Sequence, residues 1–152
     1  MKIVLNRWRG MFELSKAGLE RLIELKIKST GYKNVYCYEF IFDEDGKKHV
    51  LISPFNISNV KLILLTNETF DNVTKLNYDD FERLSSYLMK SDIRNYRYDK
   101  DLITVIEELG ALASTDLSNL KVVEIPDKCW TLIDAYNGFE QLFYSQSEIK
   151  RI

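Results

Sequence analysis

The chain has 152 residues, of which 45% are hydrophobic and 29% are charged, and its net charge at pH 7 is −2. This composition is typical of a globular protein with a real core, and it excludes an intrinsically disordered chain. The slight negative charge argues against general nucleic-acid binding, because such a surface needs enough basic residues to displace counterions. The length predicts a single globular domain over residues 1–152.

The first half of the chain predicts strands, one helix and a hairpin. Ser15 is a typical N-cap for the helix, and Gly31 is a typical residue to end it. The predicted elements are a strand at Lys2–Asn6, a helix from Ser15 to about Lys28, strands at Tyr32–Phe42 and Lys47–Ile52 around the turn Asp43–Gly46, and a buried strand at Lys61–Thr66.

The middle of the chain predicts a loop, a helix and an irregular connection. Asn67–Lys75 is polar and is interpreted as a loop. Asn77 or Asp79 then opens a helix that ends near Ser91. Its predicted buried face carries Phe81, Leu84, Tyr87 and Leu88. The segment Ser91–Tyr98 is predicted to be irregular.

Residues 99–142 carry the clearest structural signals. Asp99 is a predicted N-cap, and Gly110 is predicted to end the helix with a left-handed residue. The helix face repeats apolar residues at Leu102, Val105, Ile106 and Leu109. A strand follows at Lys121–Ile125, stopped by Pro126, and strands at Trp130–Tyr136 and Phe139–Tyr144 flank Asn137-Gly138, a strong hairpin signal.

These patterns together predict the fold class. We expect an α+β protein, with a mostly antiparallel sheet of hairpins and about three packed helices. The strand at Lys121–Ile125 and the Asn137-Gly138 hairpin are expected to share one sheet, with the helix that ends at Leu109 on its apolar face.

The sequence also bounds location and chemistry. No apolar run approaches the roughly 20 residues of a membrane helix, and no signal peptide is recognised, so we expect a cytoplasmic protein without membrane contact. Cys37 and Cys129 lie in predicted strands without metal-ligand spacing, so buried, reduced thiols are expected. We predict no metal and no cofactor.

A first candidate site follows the first strand. Arg7, Trp8 and Arg9 place two guanidiniums beside an indole, which offers phosphate contacts and a stacking plane for a base. The alternative is a surface loop in which Trp8 packs into the core and both arginines are solvated.

A second candidate site precedes the helix at Asp99. Arg94, Tyr96 and Arg97 lie beside a predicted helix N-terminus, which attracts anions through its unpaired N–H groups. The carboxylate of Asp99 occupies the same position and competes with such a ligand. The alternative is an exposed basic loop that pairs with nearby acids such as Asp92.

No candidate catalytic group stands out. Glu107 and Glu108 are adjacent on a helix and point about 100° apart, so we interpret them as polar flanks of the buried face. His49 is the only histidine, and we expect it to be a solvated strand residue. The sequence contains no Walker loop, Rossmann glycine pattern, HExxH or CxxC motif.

Several segments together resemble a family of small, largely uncharacterised proteins of tailed phages. They are DxxLITVIEELG at 99–110, LKVVEIPD at 120–127, WxxIxxYNGxE at 130–140, MKIVLN at 1–6 and GMFxLS at 10–15. The chain departs from the family pattern between Arg7 and Met11, where the loop is normally glycine-rich, and at Lys100, where a proline is usual. Its tail also lacks the usual His and Trp.

The resemblance implies a phage protein acting in the cytoplasm of a bacterial host. Phages carry small proteins that sequester the nucleotide signals of bacterial immune systems, and some work as oligomers, which leaves a homo-oligomer open here. We therefore interpret the chain as a non-enzymatic binding protein that sequesters a small anionic ligand, a nucleotide immune signal. The expected binding residues are Arg7, Trp8, Arg9, Arg94, Tyr96 and Arg97.

Two alternatives stay open. An interaction protein would bind a host protein through exposed aromatics such as Tyr96, Tyr136 and Phe139. A nucleotide hydrolase would use Glu107 or Asp99 as its base. On the leading hypothesis, replacing Arg9 or Arg97 by alanine weakens binding by roughly 10- to 100-fold. The fold is expected to survive both changes, because both residues lie in predicted loops.

Overall fold

The structure is a computed structural model that describes residues 1–59, 62–90, 92–145 and 149–152. These residues form three α-helices and ten strands, and every strand pair is antiparallel. The prediction of an α+β fold built mainly from antiparallel strands is therefore confirmed. The predicted strand start at Lys61 and helix end at Ser91 lie outside the described residues.

The α-helices are α1 (Lys16–Thr30), α2 (Tyr78–Glu82) and α3 (Lys100–Leu109). The strands are β1 (Lys2–Asn6), β2 (Asn34–Phe42), β3 (Lys48–Pro54), β4 (Leu62–Thr66), β5 (Thr74–Asn77), β6 (Ser86–Lys90), β7 (Leu120–Glu124), β8 (Trp130–Tyr136), β9 (Phe139–Ser145) and β10 (Ile149–Arg151). Short 3₁₀ turns lie at Ile57–Asn59, Ile93–Tyr96 and Gly110–Ala113.

The chain divides into two compact units. The first comprises Met1–Leu25 and Ile93–Ile152, and the second comprises Lys26–Asp92. The sequence boundary between them falls within α1. The expectation of a single globular domain stays a prediction, since this division does not decide whether either unit folds alone.

The first unit contains two small sheets. β1 pairs with β7, from Lys2 opposite Glu124 to Asn6 opposite Leu120, and β8, β9 and β10 form a three-stranded sheet with β9 in the centre. The expectation that β7 shares a sheet with the hairpin is wrong. Its partner is β1, which lies at the other end of the sequence. Ile3, Leu5, Ile125 and Leu142 are buried together between these strands.

Helix α3 follows its sequence signals closely. The Asp99 carboxylate accepts hydrogen bonds from the backbone N–H groups of Asp101 and Leu102, both at 3.0 Å. Gly110 has a φ of 56° and ends the helix, because L side chains rarely adopt that conformation. Leu102, Ile103, Val105 and Ile106 are buried, whereas Leu109 is half-buried. Helix α1 likewise begins at its predicted cap, where the Ser15 hydroxyl accepts from the Gly18 N–H at 3.0 Å.

The hairpin of β8 and β9 turns at the predicted dipeptide. Asn137 has a φ of 50° and Gly138 has a φ of 88°. Positive φ at both central residues defines a type I′ turn, whose twist matches that of the flanking strands. The hairpin prediction is confirmed.

The second unit is a five-stranded sheet with one short helix. Its strand order is β5-β3-β2-β4-β6. Five of its residues are buried in one cluster: Tyr38, Val50, Ile52, Leu64 and Phe81. The predicted turn at Asp43–Gly46 joins β2 to β3, and Gly46 has a φ of 78°.

One sequence prediction in this unit is wrong. The helix expected from Asn77 to about Ser91 consists of the five residues of α2, capped by Asn77, followed by strand β6. Phe81 and Leu84 belong to the α2 region, whereas Tyr87 and Leu88 pair with Leu65 and Leu64 of β4. The apolar residues at helical spacing therefore belong to two different elements, α2 with its following turn and strand β6. The preceding loop is also shorter than predicted, since β5 begins at Thr74.

Two further predictions concern membrane helices and the cysteines. None of the described helices is long and apolar enough to span a bilayer. Cys37 lies in β2 and Cys129 immediately precedes β8, and both are free and half-buried. The expectation that Cys129 lies in a strand, and that both thiols are buried, is therefore corrected.

Candidate functional site

Asn6, the last residue of β1, organises the loop that carries the first arginine-aromatic segment. It is fully buried. Its Nδ2 lies 3.2 Å from the carbonyl oxygens of Trp8 and Met11 and 2.9 Å from that of Gly138. Its Oδ1 accepts from the Asn119 backbone N–H at 2.9 Å. A single side chain therefore ties loop 7–11 to the β8–β9 turn.

Glu140 of β9 lies beneath this loop as a buried carboxylate. Its Oε1 accepts from the Asn6 backbone N–H at 2.8 Å, and its two oxygens accept from Nη1 and Nη2 of Arg97 at 3.2 and 2.9 Å. The side chains of Arg97 and Glu140 are only 13% and 7% exposed. The Arg97 guanidinium also lies 5.1 Å from the centre of the Phe12 ring. The pair is a structural ion pair of the first unit.

Arg7 is also held by the fold. Its Nη1 donates to the Glu140 carbonyl oxygen at 2.8 Å, and its guanidinium lies 4.6 Å from the centre of the Phe139 ring. The two arginine-aromatic segments thus meet in space at Glu140. Arg97 contacts the buried carboxylate of Glu140 and Arg7 contacts its backbone carbonyl, so both guanidiniums already have partners in the fold.

Glycine makes this arrangement possible at the β8–β9 turn. A Cβ atom on Gly138 would collide with the backbone of Gly10, and a Cβ atom on Gly10 would collide with the carbonyl oxygen of Leu117. Met11 donates its N–H to the same carbonyl at 2.8 Å. The loop therefore runs in backbone contact with both neighbours, which fixes the position of Trp8 and Arg9.

A groove of about 440 Å³ lies on the outer face of the hairpin. Its lining residues are Arg9, Asp134, Tyr136, Phe139 and Gln141. Tyr136 lies directly opposite Phe139 across β8 and β9, and Asp134 lies directly opposite Gln141. All four side chains lie on one face because directly opposite residues, and residues two apart along a strand, share a face.

Arg9 remains available at the rim of this groove. Its side chain is exposed, and its guanidinium lies 5.7 Å from the centre of the Tyr136 ring, which is itself 68% exposed. Trp8 is 55% exposed, so the alternative in which Trp8 packs into the core is wrong. Chemically, the groove offers one cation, aromatic walls and two hydrogen-bonding side chains.

The second predicted segment does not reach the groove as a set. Arg94 is exposed and Tyr96 half-buried, both in the 3₁₀ turn at Ile93–Tyr96, and neither lines the groove. Arg97 is the half-buried ion-pair partner of the buried Glu140. The reason given for expecting the fold to survive loss of Arg97, its place in a solvated loop, does not hold, because its removal would leave Glu140 as an unpaired buried charge.

The remaining titratable candidates have structural partners. Glu107 lies 2.8 Å from Lys2 Nζ and raises the pKa of that lysine through a hydrogen bond. Glu108 lies 2.8 Å from Arg21 Nε, whose hydrogen bond lowers the pKa of Glu108. The two carboxylates therefore diverge, as predicted.

His49 lies in strand β3 as predicted, but the prediction that it is solvated is wrong. It is half-buried, and its Nε2 lies 2.9 Å from Oδ2 of Asp43. The hydrogen bond from His49 and the backbone N–H of Lys47 hold the pKa of Asp43 below its ordinary value. The pair joins the first residue of the β2–β3 turn to the start of β3.

Four residues of this region were missed at the sequence level: Asn6, Asp134, Glu140 and Gln141. One signal was available for Glu140, since strand alternation places it on the same face as the apolar Leu142. A carboxylate at an inward position needs a partner, and that requirement predicts a buried cation. Nothing in the sequence indicates that the cation is Arg97.

Comparison with models of known protein families, with curated proteins and with solved structures gives no match. Within the described residues, no group of three or more His, Cys, Asp or Glu side chains is arranged to hold a metal ion. The geometry of the groove therefore carries the functional argument.

Proposed function

We propose that this protein is a non-enzymatic binding protein that captures a small anionic ligand, a nucleotide, in the groove on the β8–β9 hairpin. The observation that supports this proposal is the exposed guanidinium of Arg9 beside Tyr136 and Phe139 in one groove. A guanidinium recognises phosphate through charge-assisted hydrogen bonds, and aromatic side chains stack on bases.

The rigidity of the loop supports the same proposal. Asn6 fixes loop 7–11 against the hairpin turn, and Gly10 and Gly138 are in backbone contact. Because Arg9 is held next to the aromatic wall before any ligand arrives, less conformational freedom is lost on binding. The resemblance to tailed-phage proteins gives this binding a biological role, namely sequestration of a nucleotide immune signal in the host cytoplasm.

The test combines binding with recovery of the ligand. The protein is titrated with mononucleotides and cyclic dinucleotides by calorimetry, and each bound nucleotide is then released by heating and weighed by mass spectrometry. Recovery of the intact nucleotide is the expected result. A product of altered mass would instead identify an enzyme and contradict the proposal.

Arg9→Ala tests the placement of the site. Because a hydrogen bond to a charged group contributes about 1.5–3 kcal/mol, this variant is expected to bind roughly 10- to 100-fold more weakly. Arg83→Ala is the matched control, since Arg83 is 80% exposed in the second unit and lies 3.7 Å from Asp80. If both variants bind with the same affinity, the ligand does not bind in this groove.

A second candidate function has its own support. Trp130 and Leu132 are 53% and 56% exposed on the same strand as Tyr136. Residues two apart along a strand share a face, so these side chains form an apolar stripe next to the groove. This stripe favours a protein that binds a partner protein through β8. If no nucleotide binds and Leu132→Asp abolishes capture of a host protein, this second function replaces the first.

A further inference from the structure

The groove contains two polar side chains that lie opposite each other and can select one kind of base. Asp134 of β8 and Gln141 of β9 lie directly opposite each other, and both line the groove. Directly opposite residues place their Cβ atoms about 5 Å apart, so one planar group can reach both side chains. Within the described parts of the chain, neither side chain takes part in a hydrogen bond or an ion pair.

We propose that Asp134 and Gln141 read the edge of a guanine base, so that the ligand is a guanine nucleotide. This inference rests on the proposed function, because it assigns a base to the nucleotide held there. It concerns two residues that neither arginine-aromatic segment contains.

The chemistry of the two side chains favours guanine. An ionised carboxylate only accepts hydrogen bonds, and guanine presents two adjacent donors, N1–H and the N2 amino group. The Gln141 amide donates, and guanine has an acceptor at O6 beside those donors. Adenine presents the N1 lone pair where guanine has a donor, so its edge would face Asp134 with an unpaired acceptor.

The spacing of the groove matches a stacked base. Tyr136 and Phe139 lie two residues from Asp134 and Gln141 along their strands, which is about 6.6 Å. The Arg7 guanidinium already lies over the Phe139 ring, so a purine ring placed beside Tyr136 points its edge at the polar pair. Arg9 lies beside Tyr136 at 5.7 Å from the ring centre, where it meets the phosphate of the same nucleotide.

The negative charge of Asp134 also favours contact with a base edge. A carboxylate in a groove for a phosphorylated ligand repels the phosphate, so it weakens binding unless it contacts a donor. A base edge with two donors supplies that contact. Arg9 and Asp134 thus divide the groove into a phosphate end and a base end, whose charges are complementary to those of a guanine nucleotide.

The experiment compares guanine with adenine probes in three proteins. GMP, AMP and the cyclic dinucleotides that contain only guanine or only adenine are titrated by calorimetry. Wild type is expected to bind the guanine probes at least about 10-fold more tightly than the adenine probes, as one well-read base edge provides. Asp134→Asn is expected to reduce this preference to less than about 2-fold, because its amide replaces one acceptor by a donor.

Asp116→Asn is the matched control. Asp116 is exposed in the first unit and does not line the groove. This variant therefore loses the same charge at a position that does not contact the base. It is expected to keep the guanine preference. If Asp134→Asn instead strengthens all probes equally, Asp134 acts only by repelling phosphate and the inference is overturned.

The remaining outcomes separate the two proposals. Equal binding of guanine and adenine probes by wild type would overturn the guanine inference and leave the proposed function intact. Binding of none of the four probes would overturn the guanine inference, and binding of no nucleotide in the wider panel would overturn the proposed function as well. A preference for adenine would also contradict the assignment of Asp134 and Gln141 as readers of guanine.

Discussion

At the scale of single residues, the Arg97–Glu140 pair changes how the arginine-rich segments are interpreted. An arginine next to tyrosines before a helix is typical of an anion site, yet two guanidinium nitrogens of Arg97, Nη1 and Nη2, contact a carboxylate that is itself buried. Bidentate pairing of this kind fixes orientation as well as charge. Arg97 therefore contributes to the structure that holds the groove, and Arg9 is the arginine that lines it.

The first prediction follows from that pair. Arg97→Ala is expected to lower the free energy of unfolding by about 3–5 kcal/mol, because removal of one partner leaves a buried charge unpaired. Chemical denaturation measures the change. Arg9→Ala is the control, and since Arg9 is exposed its unfolding free energy should stay within about 0.5 kcal/mol of wild type. If Arg97→Ala leaves the stability unchanged, the ion pair is not structural and Arg97 is again a candidate ligand-binding residue.

The second prediction concerns pH and the Asp43–His49 pair. The pKa of Asp43 is lowered in the folded protein, so the unfolded chain binds this proton at a higher pH than the folded one. The resulting stabilisation is present above the ordinary Asp pKa of 3.8 and is lost as pH falls through the lower folded value. The unfolding free energy, measured from about pH 5 down to about pH 2, should therefore fall more steeply in wild type than in Asp43→Asn.

Asp45→Asn is the comparison for this measurement. Asp45 is exposed in the same turn, and it contacts Asp43 through its backbone N–H at 3.0 Å. Its substitution removes a charge from the turn without removing the contact with His49. Two variants with the same pH dependence would show that the His49 contact does not set the acid sensitivity.

At the scale of elements, the β8–β9 hairpin is the part of the fold that builds the groove. Its type I′ turn sets the register, and the register places Asp134 opposite Gln141 and Tyr136 opposite Phe139. The same turn contacts loop 7–11 through Gly138, whose carbonyl accepts from Asn6. One turn thus positions both the wall of the groove and its cation.

The third prediction compares two glycines in turns. Gly138→Ala must adopt a positive φ and also push the Gly10 backbone aside, whereas Gly46→Ala has a similar φ of 78° and open space around its Cβ. A positive φ costs an L-residue roughly 1–2 kcal/mol. Gly46→Ala should lose about that much stability, and Gly138→Ala should lose clearly more, as measured by denaturation. Equal losses would mean that the loop moves away without cost.

The elements also show which parts of the fold can be predicted from the sequence. Local signals were sufficient for α1, α3 and the β8–β9 hairpin, because a cap, an apolar stripe or an Asn-Gly pair acts within a few residues. Strand β6 was mistaken for the end of a helix, since its identity depends on pairing with β4, about 24 residues earlier. The partner of β7 was missed for the same reason.

The candidate site was predictable only in part. Arg9 is among the predicted binding residues because arginine beside an aromatic residue is visible in the sequence, whereas Trp8 does not line the groove. The engagement of Arg7 and Arg97 was not, because Glu140 lies 133 and 43 positions away from them. Asp134 and Gln141 were missed because isolated polar residues on an exposed strand face carry no distinctive pattern.

At the scale of the whole molecule, the cysteines offer a test of the oxidation state. Cys37 belongs to the second unit and Cys129 to the first, and both are free. The fourth prediction is that the denatured, unreduced protein reacts with two equivalents of a thiol reagent. The variants Cys37→Ser and Cys129→Ser should each react with one equivalent. A wild-type protein without reactive thiols would require a disulfide and would contradict the reducing compartment expected for it.

The pairing of β1 with β7 also has a consequence during synthesis of the chain. Lys2 lies opposite Glu124, and Asn6 contacts Gly138 at a separation of 132 residues. Ribosomes add roughly 5–20 residues per second, so β1 waits on the order of 10 s for these partners to be translated. Lys26–Asp92 form one continuous segment that is complete well before then. β1 therefore leaves the ribosome well before its partners and is among the last of these strands to be ordered, and its apolar residues are open to chaperones throughout that interval.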